Sequence, residues 1–255
     1  MARPKAKQND SICSAGNWSP SGVPTASDQA TISGKFVNLS ANATLANLTL
    51  TDGASLSVAA NGNRVLRAST LSISADSKLD LNDNALVLNS QPVSAIADYL
   101  TSGYANGAWN GCGICSSLAA SIPQRGIGYA QASDVFGTFP ATFQGQSVNA
   151  SDALIRYTLS GDANLDGQVN SVDFTSIAMN FNQSGKRWSQ GDFNFDHKVN
   201  ALDFNGVATT YGASLGTGSA SIGDPSFSLI APEPLAIARL FSDESIEREQ
   251  PESVL

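Results

Sequence analysis

From about Ala30 to Asn89, apolar and polar residues alternate in short stretches separated by Asn, Asp, Gly and Ser. A period of two reads as strands, and the polar breaks read as turns. The stretches also repeat: Leu48, Leu50, Leu56 and Val58 recur 23 residues later as Leu71, Ile73, Leu79 and Leu81. Asp52 and Gly53 fall at the turn where Ala75 and Asp76 follow in the next copy. A repeat of this length predicts a short parallel β-solenoid over residues 30–90, because one coil cannot bury its apolar side alone and must stack on the next. Val37 and Leu39 before the repeat, and Leu86 and Leu88 after it, predict partial coils. A short antiparallel sandwich is the alternative that the same alternation allows.

The pattern changes over residues 91–157, a predicted small α+β connector. Val93, Ile96, Ala97 and Leu100 share a helical face, and the helix is expected to end before Gly103. A second short helix is expected around Ser116 to Ser121, with strands at Ile127 to Ala130, Ala141 to Phe143 and Ala153 to Leu159. Residues 1–29 read as an N-terminal extension. Its opening residues are basic (Arg3, Lys5, Lys7), but no apolar stretch follows to complete a secretory signal, which points to a truncated or misassigned start.

Composition narrows the chemistry. The chain has 255 residues, a net charge of -8 and 14% charged residues. That charge argues against a nucleic-acid partner, which requires clustered Lys and Arg. No apolar run reaches the length of a membrane span. Of the acids, 17 are Asp and 5 are Glu, and every Glu lies from Glu233 onward. With His197 as the sole histidine, a Ser/His/Asp relay elsewhere in the chain and a multi-histidine zinc site are both excluded. The three cysteines are Cys13, Cys112 and Cys115. The C-x-x-C pair is open to readings as a redox motif, half a zinc knuckle, a local disulfide or two loop thiols.

The aspartates have a pattern. Gly161 to Asp173 reads GDANLDGQVNSVD, and Gly191 to Asp203 reads GDFNFDHKVNALD, an offset of 30 residues with nine identities over 18 aligned positions. Oxygen side chains fall at loop positions 1, 3, 5, 9 and 12: Asp162, Asn164, Asp166, Asn170 and Asp173, then Asp192, Asn194, Asp196, Asn200 and Asp203. This is the spacing of a calcium loop, with the main-chain carbonyl of Gln168 or Lys198 at position 7 as a further ligand. Both loops close with Asp where a sensor EF-hand has Glu, so the following helix must approach the ion more closely. Phe174, Ile177, Ala178 and Phe181, and likewise Phe204, Val207, Ala208 and Tyr211, lie on one face of each following helix. Position 6 needs positive φ: Gly167 suits it, whereas His197 predicts a weaker second site. His197 itself reads as a solvated loop residue and not as a catalytic one.

At these residues the sequence resembles the type I dockerin family, with two loops of the D-x-N-x-D-G-x-V-N-x-x-D form, each followed by a helix. The resemblance covers about Gly161 to Gly212. It implies an all-α pair of calcium-loop and helix units over residues 158–213, two Ca2+ ions, and docking onto a cohesin-like partner or cell-surface component. The family's recognition positions 10 and 11 are here Ser171, Val172, Ala201 and Leu202. The region before the loops more loosely resembles non-catalytic solenoid parts of large secreted bacterial proteins.

Two further resemblances are weaker. Asp52, Asp76, Asp80 and Asp83, with Arg64 and Arg67, resemble the ion cluster of calcium-assisted polysaccharide lyases, although solenoid corners use Asp anyway. Ala231 to Pro234, followed by Leu235 to Phe241, resembles a Pro-Glu-Pro sorting signal without its membrane-length helix or closing Arg cluster, so residues 214–255 read as a disordered acidic tail. The resulting expectation is a non-catalytic extracellular or cell-surface protein, mainly β with α, that binds calcium and a docking partner, with a glycan as a further partner. The alternative is an accessory subunit or fragment of a polysaccharide-degrading enzyme.

Overall fold

The computed structural model describes residues 3–4, 10–11, 17–19 and 21–216. Cys13 and the acidic tail with its sorting-type motif lie outside the described residues.

The chain alternates between two parallel sheets. Strands β1 (Arg3–Pro4), β2 (Asp10–Ser11) and β3 (Trp18–Ser19) precede β4 (Gln29–Ser33), β5 (Phe36–Leu39), β6 (Ala43–Thr51), β7 (Ser55–Val58), β8 (Val65–Ile73), β9 (Lys78–Asp80) and β10 (Ala85–Leu88). One sheet holds β4, β6, β8 and β10 in parallel, and the other holds β2, β5, β7 and β9 in parallel. The 23-residue offset is the strand register: Leu48 pairs with Leu71, Leu50 with Ile73, and Leu56 with Leu79. All of these are buried, and each contributes roughly 1.5–3 kcal/mol of apolar burial.

Corner residues repeat their contacts from one turn of the chain to the next. Asp52 and Gly53 take positive φ at the turn after β6. The amide of Ala54 donates to Ser77 Oγ at 3.0 Å, and that of Val65 to Asn42 Oδ1 at 3.0 Å, each across 23 residues.

Both ends of the stack draw on segments assigned above to separate regions. From the extension, β2 pairs with β5, and Trp18 is buried in the core. From the connector come α1 (Ser94–Tyr104), β11 (Gly113–Cys115), α2 (Ser117–Ser121), β12 (Arg125–Gln131), α3 (Ala132–Val135), β13 (Ala141–Phe143), β14 (Gln146–Val148) and β15 (Ala153–Leu159). Strand β11 continues the second sheet beside β9, while β15 and then β12 close the first sheet antiparallel to their neighbours. Strands β11, β12 and β15 of this α+β region thus extend the same two sheets, whereas β13 and β14 form a separate two-stranded sheet.

Helix α1 runs through Gly103 instead of stopping before it. A Cβ at Gly103 would stand 1.7 Å from the carbonyl oxygen of Ile114, so glycine here lets the helix lie directly on β11. Cys112 and Cys115 are free thiols at this junction, the first partly exposed and the second buried. Burial pushes the Cys115 thiol up to about 12.

Candidate metal centres and docking face

Strand β15 delivers the chain into the first loop, which leads to α4 (Ser171–Asn180); the second loop leads to α5 (Ala201–Thr210). Both helices begin with the same local chemistry. Asn170 Oδ1 accepts from the Val172 amide at 2.9 Å, and Asn200 Oδ1 from the Leu202 amide at 2.8 Å. Asp173 and Asp203 return the bond to the amides of Asn170 and Asn200, completing a capping box at each helix start.

The predicted ligand residues are gathered loop by loop. Asn164 Oδ1 accepts from the Asp166 amide, and Asn194 Oδ1 from the Asp196 amide, both at 3.0 Å. Asp173 Oδ1 and Asp203 Oδ1 reach back across their loops to the amides of Ala163 and Phe193, both at 2.8 Å. Gly167 and His197 both take the left-handed conformation that position 6 requires, with φ of 86° and 63°. Gln168 and Lys198, at position 7, form isolated antiparallel bridges with Ser214 and Ser184. The Gly167 and Val169 carbonyls accept from Leu215 and Gly212, so alternation along this short ladder turns the Gln168 carbonyl to the other side. Ser214 and Leu215, placed above in the tail, thus belong to this module.

Among the described residues, no three Asp, Glu, His or Cys side chains form a metal cluster by themselves. The carboxylates are turned in part onto loop amides, and Asn oxygens and main-chain carbonyls make up the rest of each donor set. These residues nonetheless fit a hard divalent cation. Asp192 Oδ1 is buried without a hydrogen-bond partner. Burial, with Asp203 close by, pushes the Asp192 carboxyl up to about 7. Burial likewise pushes Asp162 up to about 6, opposed by hydrogen bonds from Thr158 and Gly167. Asp173 and Asp203 are raised for the same first reason. Crowded, buried, all-oxygen carboxylates of this kind are what a calcium ion offsets.

The two loops differ at one support. Thr158 donates its hydroxyl to Asp162, whereas the corresponding residue 30 positions on is Trp188, whose indole donates instead to the Asp162 carbonyl at 2.6 Å. The His197 ring nitrogen stands 3.9 Å from Asp192 Oδ2.

The helix faces depart from the amphipathic reading. Of the eight apolar positions named on them, only Ile177 and Val207 are buried. Phe174, Phe181, Phe204 and Tyr211 are 43%, 51%, 42% and 59% exposed, and Ala178 and Ala208 are exposed as well. The helices are short and anchored by their loops, so a single residue per helix suffices for the internal contact. Phe174 and Phe204 meet edge to face at 6.2 Å across the pair. Ser171, Val172, Ala201 and Leu202 are all exposed, as is Met179.

The aspartates resembling a lyase site are distributed among turns. Asp52 accepts from Ser33, Asp76 from Ser74, Asp80 from Ser117, and Asp83 from the Asn61 amide. Arg67 pairs with Asp152 at 3.3 Å, and Arg64 donates to the Ala59 carbonyl.

Paired oxygen-rich loops, each capped into a short helix and related by a 30-residue repeat, define a tandem loop–helix module. Residues 160–209 match the family model described as the dockerin type I domain, and this segment of the chain is a type I dockerin domain. No curated protein and no solved structure gives a significant match to the chain.

Proposed function

We propose that the chain is a non-catalytic extracellular or cell-surface protein whose dockerin segment binds two calcium ions and docks onto a cohesin-like partner. The first ion is held by Asp162, Asn164, Asp166, Gln168, Asn170 and Asp173, and the second by Asp192, Asn194, Asp196, Lys198, Asn200 and Asp203. The second site is the weaker, because His197 replaces the glycine that takes positive φ without strain. When bound, the ions supply the positive charge that lets the buried carboxylates stay ionised and the loops stay closed. The two parallel sheets form a short β-solenoid that carries the module and offers its outer face to a glycan.

The observation that carries this reading is the exposure of Val172, Phe174, Met179, Phe181, Leu202, Phe204 and Tyr211 on one small helical module, seven of the nine exposed large apolar residues among the described ones. Exposed apolar side chains concentrated on one small module mark an interaction site. Asp52, Asp76, Asp80 and Asp83 are each engaged by hydroxyl or amide donors at turns and strand ends, which favours the non-catalytic reading over a polysaccharide-degrading fragment. No helix among the described residues is long and apolar enough to cross a membrane.

The test is binding of the purified chain to a panel of immobilised type I cohesin modules in calcium and in chelator. Capture in calcium that is abolished by chelator supports the reading. Calcium-independent capture, or none across the panel, counts against it.

A further inference from the structure

The residue between ligand positions 3 and 5 is Leu165 in the first loop and Phe195 in the second, and both are held at φ of 60°. This left-handed conformation is unfavourable for a residue with a side chain, so something must hold it. On one side the adjacent Asn and Asp residues do so, through the bonds from the Asp166 and Asp196 amides to Asn164 and Asn194. On the other side the first sheet does so. The two side chains are only 2% and 4% exposed, and neither packs within its own loop alone.

Leu165 sits over Gly128 of β12, where a Cβ would come within 2.5 Å of both Leu165 Cδ2 and Trp188 Nε1. Its carbonyl accepts from Arg156 Nη1 of β15 at 2.9 Å. Phe195 enters a ring cluster built by the sheet and its covering segments. It stacks on Tyr129 of β12 at 6.0 Å and 10°, and lies 5.0 Å from Tyr104, 5.7 Å from Trp109 and 5.6 Å from Trp188. The residues that aim these side chains are the ones assigned to the ions, and the surface that receives them is β12 and β15.

We infer that Leu165 and Phe195 are positioning residues for calcium, so that filling the two loops and seating them on β12 and β15 are a single linked equilibrium. This rests on the calcium reading given above and goes beyond it. Dockerin and sheets then act as one body, each ion affinity depends on a side chain that touches no ion, and calcium stabilises the parallel sheets as well as the module. Reciprocity is required: if the seat favours the ion, the ion favours the seat by the same factor.

The experiment is calorimetric calcium titration of the full chain as wild type, Phe195→Ala, Phe195→Leu and Gly128→Ala, each followed by tryptophan emission and by thermal unfolding in chelator. Phe195→Ala is expected to weaken the second site about tenfold or more, within the usual range of coupling between sites, with the first site changed by no more than about threefold. Phe195→Leu, which keeps an apolar fill without the ring stacking, should fall between wild type and Phe195→Ala. It also serves as the graded variant if Phe195→Ala fails to fold. Gly128→Ala, whose methyl would meet both Leu165 and Trp188, should weaken both sites. Calcium should change the tryptophan emission of wild type and lose that effect at the second site in Phe195→Ala. Two ions bound by wild type, with unchanged second-site affinity in both Phe195 variants, would overturn the inference alone. No calcium bound by wild type would overturn the calcium reading beneath it.

Discussion

Gly161 lies against the backbone of Val207: a Cβ on this glycine would stand 2.9 Å from the Val207 Cα. Thirty residues on, Gly191 lies against Ile177, with a Cβ 3.2 Å from that Cα. The glycine that opens each loop is therefore the floor for the other loop's helix, and both glycines hold φ near 100°. Neither unit of the pair can close without the other. Gly161→Ala adds both a clash with main chain and an unfavourable φ, and is expected to destabilise the chain by about 2–4 kcal/mol. Denaturant unfolding in excess calcium measures it, and a loss below about 0.5 kcal/mol would contradict the contact.

Calcium should stabilise the folded chain by mass action. At about 100 times the dissociation constant, one site contributes about 2.7 kcal/mol, provided the unfolded chain does not bind. Thermal melting should shift upward with calcium and return in chelator. An unchanged melting temperature at millimolar calcium would remove the metal assignment.

Relief of the position 6 strain should be visible at the second site. His197 holds φ of 63°, and replacing it by glycine removes roughly 1 kcal/mol of conformational cost. His197→Gly is expected to tighten the second site about fivefold, read by calorimetry, with the first site unmoved. Equal affinities of the two sites in wild type would show that His197 carries no such cost.

The apolar helix face should be separable from folding. Val172 and Leu202 are 57% and 64% exposed, so Val172→Asp with Leu202→Asp should leave stability within about 0.5 kcal/mol, as surface changes do. The same double variant should abolish calcium-dependent capture on cohesin modules. Retained capture would move the docking face elsewhere.

The thiols give a pH test. Burial raises the Cys115 thiol from 9.0 to about 12, so its protonated form is favoured in the folded state. The stability it lends is present below pH 9 and is lost as pH rises from there towards 12, since the unfolded thiol ionises first. Thiol labelling at pH 8 should modify Cys112, which is partly exposed, and spare Cys115 until denaturant is added. Rapid labelling of Cys115 in the native chain would contradict its burial.

Two features were legible in the sequence because they are local. The loop oxygens recur at fixed spacing within 12 residues, and ion chemistry reads spacing directly. The 23-residue recurrence of Leu48, Leu50 and Leu56 is the register at which those parallel strands pair.

What the sequence left open was which partner each apolar residue meets. Helical periodicity placed Phe174, Ile177 and Phe181 on one face, but only the packing of α4 against its twin buries Ile177 and leaves the two phenylalanines outside. Gly103 read as a helix stop, yet it is the point where α1 touches β11. Spacing assigns nothing to Leu165 and Phe195, which the approach of β12 buries. Chain-local spacing sets the pattern of oxygen side chains and the strand register; burial depends on contacts between segments distant in sequence, and these exist only once the chain has folded.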